Sequence, residues 1–272
     1  MTTIQQFMDR FERFCPETWR YHEDPVGLHF GKRDQEIHHI LTTLDVRPEV
    51  VDEAIELGCD FIVAHHPVIF HRPNDLTEDD PQQAMYAKLI RHHIGVYCAH
   101  TNLDAAPGGM NDWLAEAYGI IDTEVLVPNE PATFTEDGKR VGMGRIGRLV
   151  EPMRVRALVE RVKAYHHLEG VRVVSADLDQ MVQRVAVLGG DGGSFYHEAL
   201  AQGAEVYITG DAYYHTAHDM LAAGLTVIDP GHHMESICKD HLTALIQSWA
   251  QKDHWQVTVR SSIMNTDPFT FL

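Results

Sequence analysis

The chain has 272 residues and a net charge of −18, enough for one large or two modest domains and too acidic for a nucleic-acid surface, which needs clustered Lys and Arg. A phosphorylated substrate stays compatible, because bound divalent ions invert the local field. No apolar run reaches membrane-span length and Met1 to Cys15 lack a signal-peptide layout, while Cys15, Cys59, Cys98 and Cys238 form no C-x-x-C pair and read as reduced thiols of a cytoplasmic protein.

Residues 4–14 alternate as an amphipathic helix, with Phe7, Phe11 and Phe14 on one face. A loop over Glu23-Asp24-Pro25-Val26-Gly27 leads to a strand near 28–30, and 37–45 read as the next strand. Arg47-Pro48-Glu49 opens a helix to about Leu57, with Gly58 as its C-cap. Then comes Asp60-Phe61-Ile62-Val63-Ala64-His65-His66-Pro67. Four apolar residues in a row predict a buried strand, and Pro67 forces His66 into an extended conformation. Successive strand side chains point to opposite faces, so two neighbouring ions, one per imidazole, suit His65 and His66 better than one. The alternative is a polar loop start with two solvated rings.

The stretch 40–58 followed by CDFIVAHHP aligns without a gap on 185–203 followed by AEVYITGDA. Both read strand, turn, helix, glycine, acidic residue, strand. After a difference in loop length the match resumes, with Gly95 opposite Gly224 and, counting from those glycines, Asp104 opposite His233. The extra residues of the first copy fall around 71–84, whose Pro, Asp and Asn mark a surface loop. Two related strand–helix–strand units predict an α/β fold: two pseudo-symmetric lobes, sheets covered by helices, and a metal site in the cleft between them. The expected division is 1–126 plus about 228–272 for one lobe and 127–227 for the other. Residues 124–135 read as a connector, 142–150 and 171–175 as strands, 153–165 as a helix, and 254–262 as a last strand.

Ligands of α/β sheets gather beyond the carboxyl ends of strands. Four such ends carry unusual residues: Ala64-His65-His66-Pro67, His100-Thr101-Asn102-Leu103-Asp104, Gly210-Asp211-Ala212-Tyr213-Tyr214-His215, and Asp229-Pro230-Gly231-His232-His233-Met234-Glu235. His, Asp and Glu supply the N and O donors that suit Zn, Mn or Fe, without thiolates. A carboxylate bridging two cations about 3.5–4 Å apart would hold a water of pKa near 7, a nucleophile for hydrolysis. His100, His215 and Asp211 are the candidates for moving a proton. Asp211 also reads as an N-cap for the helix near Tyr214, and His100 as a strand cap bonded to Asp104. Gly142-Met143-Gly144-Arg145-Ile146-Gly147 spells G-x-G-x-x-G without the required strand and helix, and reads as a glycine-rich strand edge. Gly189-Gly190-Asp191-Gly192-Gly193-Ser194 could hold an anion at a helix start or serve tight packing.

AHHP after a strand, then HTNLD, GDAYYH and GHHMES in that order, resembles the dinuclear-metal-centre hexameric proteins, also described as type 2 GTP cyclohydrolase I homologues or Ngg-interacting-factor-three-like proteins. The similarity runs from Asp24-Pro25-Val26-Gly27-Leu28 to Thr266-Asp267-Pro268-Phe269. It implies a homohexameric ring with two divalent ions per chain. By matching motifs, His65 and His66 would each take one ion, Asp104 would bind one of them, His232 or its neighbour His233 the other, and Glu235 would bridge. The family's usual Trp-Asp-Asn is replaced here by His22-Glu23-Asp24-Pro25, so that loop differs in what it contacts. The implied activity is opening of the GTP purine ring with loss of formate, on a small nucleotide-like substrate. The alternative is a non-enzymatic metal-binding scaffold or metal storage and delivery protein.

Overall fold

A computed structural model describes residues 1–270. It divides into two compact units, one of residues 1–103 and 236–266, the other of 104–235 and 267–270.

The first unit opens with β1 (Thr2–Thr3) and α1 (Ile4–Phe14). Thr3 and Gln6 bond each other's backbone N–H, a reciprocal cap that fixes where the helix begins. The chain continues through β2 (Gly27–Phe30), β3 (Glu36–Ile37), β4 (His39–Thr43), α2 (Pro48–Glu56), β5 (Phe61–Ala64), α3 (Pro81–Arg91) and β6 (Gly95–Cys98). Asp80 caps α3 by accepting from the N–H groups of Gln82 and Gln83, with Pro81 in the first turn. The extra segment of the first copy is therefore irregular only up to that cap.

A helix Cys238–Lys252 (α9) and a strand Thr258–Ser261 (β13) complete this unit. Its main sheet has the order β13-β4-β5-β6-β2, with β2 alone antiparallel. Alternation along β5 explains the unbroken apolar run. Phe61 faces Phe7 of α1, which also packs edge-on against Tyr97. Ile62 and Ala64 face the other way, into a core with Val50 and Val51 of α2 and Met85 and Leu89 of α3. Both faces are covered, so no polar alternation is required.

The second unit follows α4 (Thr101–Ala105), within which the division between units falls. It contains α5 (Met110–Tyr118), β7 (Ile120–Pro128), β8 (Gly142–Arg154), α6 (Val155–His166), β9 (Arg172–Val174), β10 (Met181–Asp191), α7 (Tyr196–Ala201), β11 (Val206–Gly210), α8 (Tyr214–Ala222), β12 (Thr226–Asp229) and a 3₁₀ turn from His232. Its sheet has the order β7-β8-β10-β11-β12-β9. The expected boundaries at 126 and 228 differ from those observed because the first cuts β7, paired to β8, and the second cuts β12, paired to β11. The expected connector over 124–135 is likewise β7 as far as Pro128. The G-x-G-x-x-G run lies inside β8, flanked by β7 and β10 rather than at an edge. A Cβ at Gly142 or Gly147 would meet the Val127 or Ile121 carbonyl within 2.5 Å, so these glycines serve close strand approach.

The internal repeat is visible in the ladders. Ile40 pairs with Phe61 and Val185 with Val206, in the register that the gapless alignment requires. Each set of three parallel strands ends in an antiparallel neighbour, β2 beside β6 and β9 beside β12. The third strand corrects the sequence alignment. Phe61 pairs with Gly95, whereas Val206 pairs with Thr226. Thr226, not Gly224, is therefore equivalent to Gly95, and Asp104 falls opposite Glu235 rather than His233.

Candidate metal centre

In the first unit, β5 ends by handing its ladder to two histidines. The His65 N–H donates to the Thr43 carbonyl and the His66 N–H to that of Leu44. Strict alternation would send the two rings to opposite faces, but the strand has ended at Ala64 and their centroids lie only 5.1 Å apart, tilted by 42°. His65 Nδ1 lies 2.7 Å from the Ala99 carbonyl. His66 Nδ1 lies 2.7 Å from Asp45 Oδ1. His100 Nδ1 is 2.9 Å from both oxygens of Asp24. Carbonyls and carboxylates accept, so each Nδ1 carries the proton and each Nε2 the lone pair. Orienting a ligand imidazole through its other nitrogen is the arrangement metal sites use. One nitrogen from each of His65, His66 and His100 lies within 4.8 Å of those of the other two.

Asp24 is held tightly. Its Oδ2 also accepts from the Thr101 N–H and hydroxyl at 3.1 and 2.6 Å. Burial works to raise its pKa, but the bonds from His100 and Thr101 outweigh it and hold the carboxyl below its usual range. The loop in which this sequence departs from Trp-Asp-Asn thus contacts the start of α4 and fixes His100. That bond replaces the expected one from His100 to Asp104.

In the second unit, buried Asp104 and Glu235 offer oxygens within 4.8 Å of each other. His232 Nε2 stands 3.3 Å from Glu235 Oε2. Its Nδ1 lies 2.7 Å from Asp211 Oδ2, which repeats the pattern of the other three rings. His232 rather than His233 is therefore the ring grouped with Glu235. His233 lies toward His166, whose pKa is pushed down to about 4 by burial and then by His233 and His167. Asp211 does not cap α8: the N-cap residue is Tyr213, with no side-chain bond. His215 stands exposed on α8 with its ring edge-on to Tyr214, and neither donor set includes it.

The backbone leaves room beside these donors. A Cβ at Gly190 would lie 3.0 Å from both His232 Nε2 and Glu235 Oε1, and one at Gly189 would lie 2.7 Å from Glu235 Oε1. The glycine-rich turn is thus shaped around His232 and Glu235. Its expected role as an anion cradle finds no support, because the Gly192 N–H is bonded to Thr209 Oγ1 and α7 is a short helix. The donors are nitrogens and carboxylate oxygens, as Zn, Mn or Fe require. The four cysteines are buried thiols rather than disulfides, and burial pushes the Cys98 thiol up to about 12, far from a thiolate ligand. These residues fit a divalent ion.

The model of the Duf34/NIF3 (NGG1p interacting factor 3) family matches residues 2–268. The chain belongs to the Duf34/NIF3 family. Among NIF3 relatives, the "GTP cyclohydrolase 1 type 2 homolog" of Streptococcus pneumoniae is 40% identical over 267 residues, covering 97% of each chain. The protein of the same name from Lactococcus lactis is 42% identical over 234 residues, covering 85% of this chain and 86% of its own. Among solved NIF3 structures, a Bacillus cereus protein related to NIF3 superposes with a TM-score of 0.94 at 30% identity, covering 100% and 99% of the two chains. A hypothetical protein of Staphylococcus aureus gives 0.93 at 28%, covering 99% of each. No helix among the described residues is long and apolar enough to cross a membrane.

Three residues escaped the sequence reading as parts of this arrangement: Asp24, Asp45 and the orienting role of Asp211. Asp45 sits just after β4, so the rule about strand ends could have found it. Asp24 pairs with a residue 76 positions away, and nothing local announces that.

Proposed function

We propose that this NIF3 protein is a divalent-metal-dependent hydrolase with a dinuclear centre. His65, His66, Asp104, His232 and Glu235 would hold the ions. The observation that carries the reading is the shared treatment of His65, His66, His100 and His232. Every Nδ1 is committed to an acceptor, so the lone pair of each neutral ring sits on Nε2, where it can meet a cation at His65, His66 and His232 or a proton at His100. Four such imidazoles with two buried carboxylates are expensive to assemble unless cations meet them.

Two bound cations supply Lewis acidity and a water of near-neutral pKa. The chain's own residues do the rest. Asp24 holds the proton on His100 Nδ1, which leaves His100 Nε2 to accept one from the reacting water. Asp211 is committed to His232 and His215 is exposed on α8, so both are weaker choices for proton transfer than His100. The relatives named as GTP cyclohydrolase 1 type 2 homologs support a nucleotide-like substrate and purine ring opening with formate release. The homohexamer expected from the resemblance belongs to the same reading, as does a reducing cytoplasm, which the four buried thiols support.

The test is incubation of metal-loaded protein with a nucleotide panel, with formate and ring-opened product measured. Turnover by the wild type that disappears in Glu235→Gln supports the hydrolase. Wild-type-like turnover in that variant counts against it. Bound metal with no turnover on any nucleotide favours the alternative, a metal-binding scaffold or metal storage and delivery protein.

A further inference from the structure

Asp229 closes β12 with a carboxylate that is 1% exposed. Its Oδ2 accepts from the Ala212 N–H at 3.0 Å and its Oδ1 from the Gly231 N–H at 2.9 Å. Arg172, its cross-strand partner on β9, pairs with the same carboxylate. Ala212 directly follows Asp211, and Gly231 directly precedes His232. One carboxylate therefore fastens both turns whose side chains form the Asp211–His232 bond. Each turn passes through the left-handed region, with φ +50 at Asp211 and +85 at Gly231. Asp enters that region more readily than most side chains, and the bonds around the turn hold Asp211 in it.

The fold itself does not ask for this group. By ladder register the equivalent of Asp229 in the first unit is Cys98: Ala64 pairs with Cys98 on one side, and Gly27 pairs with it on the other. Cys98 is fully buried and its thiol stays neutral. Where one repeat is content with a small neutral side chain, the other buries a carboxylate, supplies two N–H donors and adds a guanidinium from the edge strand. Burying a charge is costly unless it is paired and hydrogen-bonded, and here the expense falls beside a single candidate ligand.

We propose that Asp229, with Arg172, is a positioning latch for His232: it holds the Asp211 and Gly231 turns in register so that the His232 ring is presented as a ligand. This inference rests on the metal-binding reading. In Asp229→Asn the carboxamide turns a donor toward one of three donors, the Ala212 N–H, the Gly231 N–H or Arg172. In Asp229→Cys the second repeat receives the residue the first one carries, a change the strand accommodates. Arg172 is 64% exposed, so Arg172→Gln folds and leaves the carboxylate without its counter-charge.

The experiment titrates Co²⁺ into the full-length metal-free protein against a chromophoric chelator, with thermal midpoints measured in parallel. His232→Ala identifies the equivalent that depends on His232. Asp229→Asn and Asp229→Cys are expected to weaken that equivalent by about 10- to 100-fold, with the remaining binding within about twofold of wild type. Arg172→Gln is expected to weaken the same equivalent, by less. Unchanged affinity in either Asp229 variant that folds overturns the latch. So does an equal loss of affinity in Val182→Ala, a core change in β10 that lowers the thermal midpoint without touching either turn. A wild type that takes up no Co²⁺ removes the metal reading and the latch with it, whereas wild-type binding with unaffected variants removes the latch alone.

Discussion

Gly190→Ala asks whether the space beside His232 and Glu235 is reserved for an ion. The added carbon would stand 3.0 Å from His232 Nε2 and Glu235 Oε1 and 3.3 Å from Glu235 Cδ, where ordinary contact begins at 3.4 Å. Both donors must retreat by a few tenths of an ångström, and metal sites tolerate about 0.2 Å in their bond lengths. The substitution has a second cost, because Gly190 holds φ +64. A non-glycine residue there loses about 1–2 kcal/mol, a fall of a few degrees in thermal midpoint for a chain of this size. Gly203→Ala separates the two effects. Gly203 holds φ +79 with nothing within 4 Å of an added Cβ, so it carries the backbone strain without the contact. Metal-free Gly190→Ala and Gly203→Ala should therefore melt within a few degrees of each other. Their Zn²⁺ affinities, read by chelator competition, should differ by about 10-fold or more. Equal affinities would refute the argument that this cradle belongs to an ion.

Two further outcomes test the energetics of the second unit. Arg145, 4% exposed, forms a two-pronged pair with Asp112 at 2.7 and 2.9 Å, and its remaining donors reach the carbonyls of Gly142, Gly144 and Ala106. Asp112→Ala strands that buried cation, at a loss of about 3–5 kcal/mol, so the thermal midpoint should fall by on the order of 10 °C; a fall of only a degree or two would show that the three carbonyls suffice. His166 Nε2 lies 2.7 Å from the Tyr118 hydroxyl, and its pKa, near 6.5 when unfolded, is pushed down to about 4. A depressed histidine pKa means that the unfolded chain takes up the proton first, so stability is complete above pH 6.5 and declines as pH falls toward 4, by up to about 3 kcal/mol. Urea midpoints of the metal-free protein at pH 7 and pH 4.5 should converge in His166→Gln relative to wild type, and an unchanged pH dependence would remove His166 as the cause.

Much of the site was legible because its donors follow strands. Covering both faces of β5 required an unbroken apolar run, and a run that stops at His65-His66-Pro67 announces itself in the sequence. The same logic pointed to 100–104 and 229–235. What was not legible is the layer behind the donors. Asp45 orients His66 and Asp211 orients His232 across 21 residues each, and Asp24 orients His100 across 76. Such bonds depend on how a neighbouring strand end or loop is brought alongside. The expected N-cap at Asp211 failed for the same reason: a carboxylate before a helix normally finds the helix N–H groups, but here a turn with positive φ points it to His232 instead. The register of the third strand was also hidden, since two glycines in similar contexts aligned more readily than Gly95 with Thr226.

With that register in place, the repeat shows how two copies of one supersecondary unit came to carry different chemistry. Asp104 and Glu235 are equivalent, and both are buried carboxylates that follow the third parallel strand. At the second strand the copies diverge. His65 and His66 stand opposite Gly210 and Asp211, so the first copy presents imidazoles where the second presents only a carboxylate that steadies one. At the first strand, Asp45 stands opposite Gly190. In one copy that position orients a ring, and in the other it withdraws to leave space beside His232. His232 in turn stands opposite Thr101, whose hydroxyl is spent on Asp24. The symmetric part of the design is the pair of buried carboxylates. The asymmetric part is the imidazoles: the first copy holds His65, His66 and His100 through Nδ1, and the second holds His232 alone in that way.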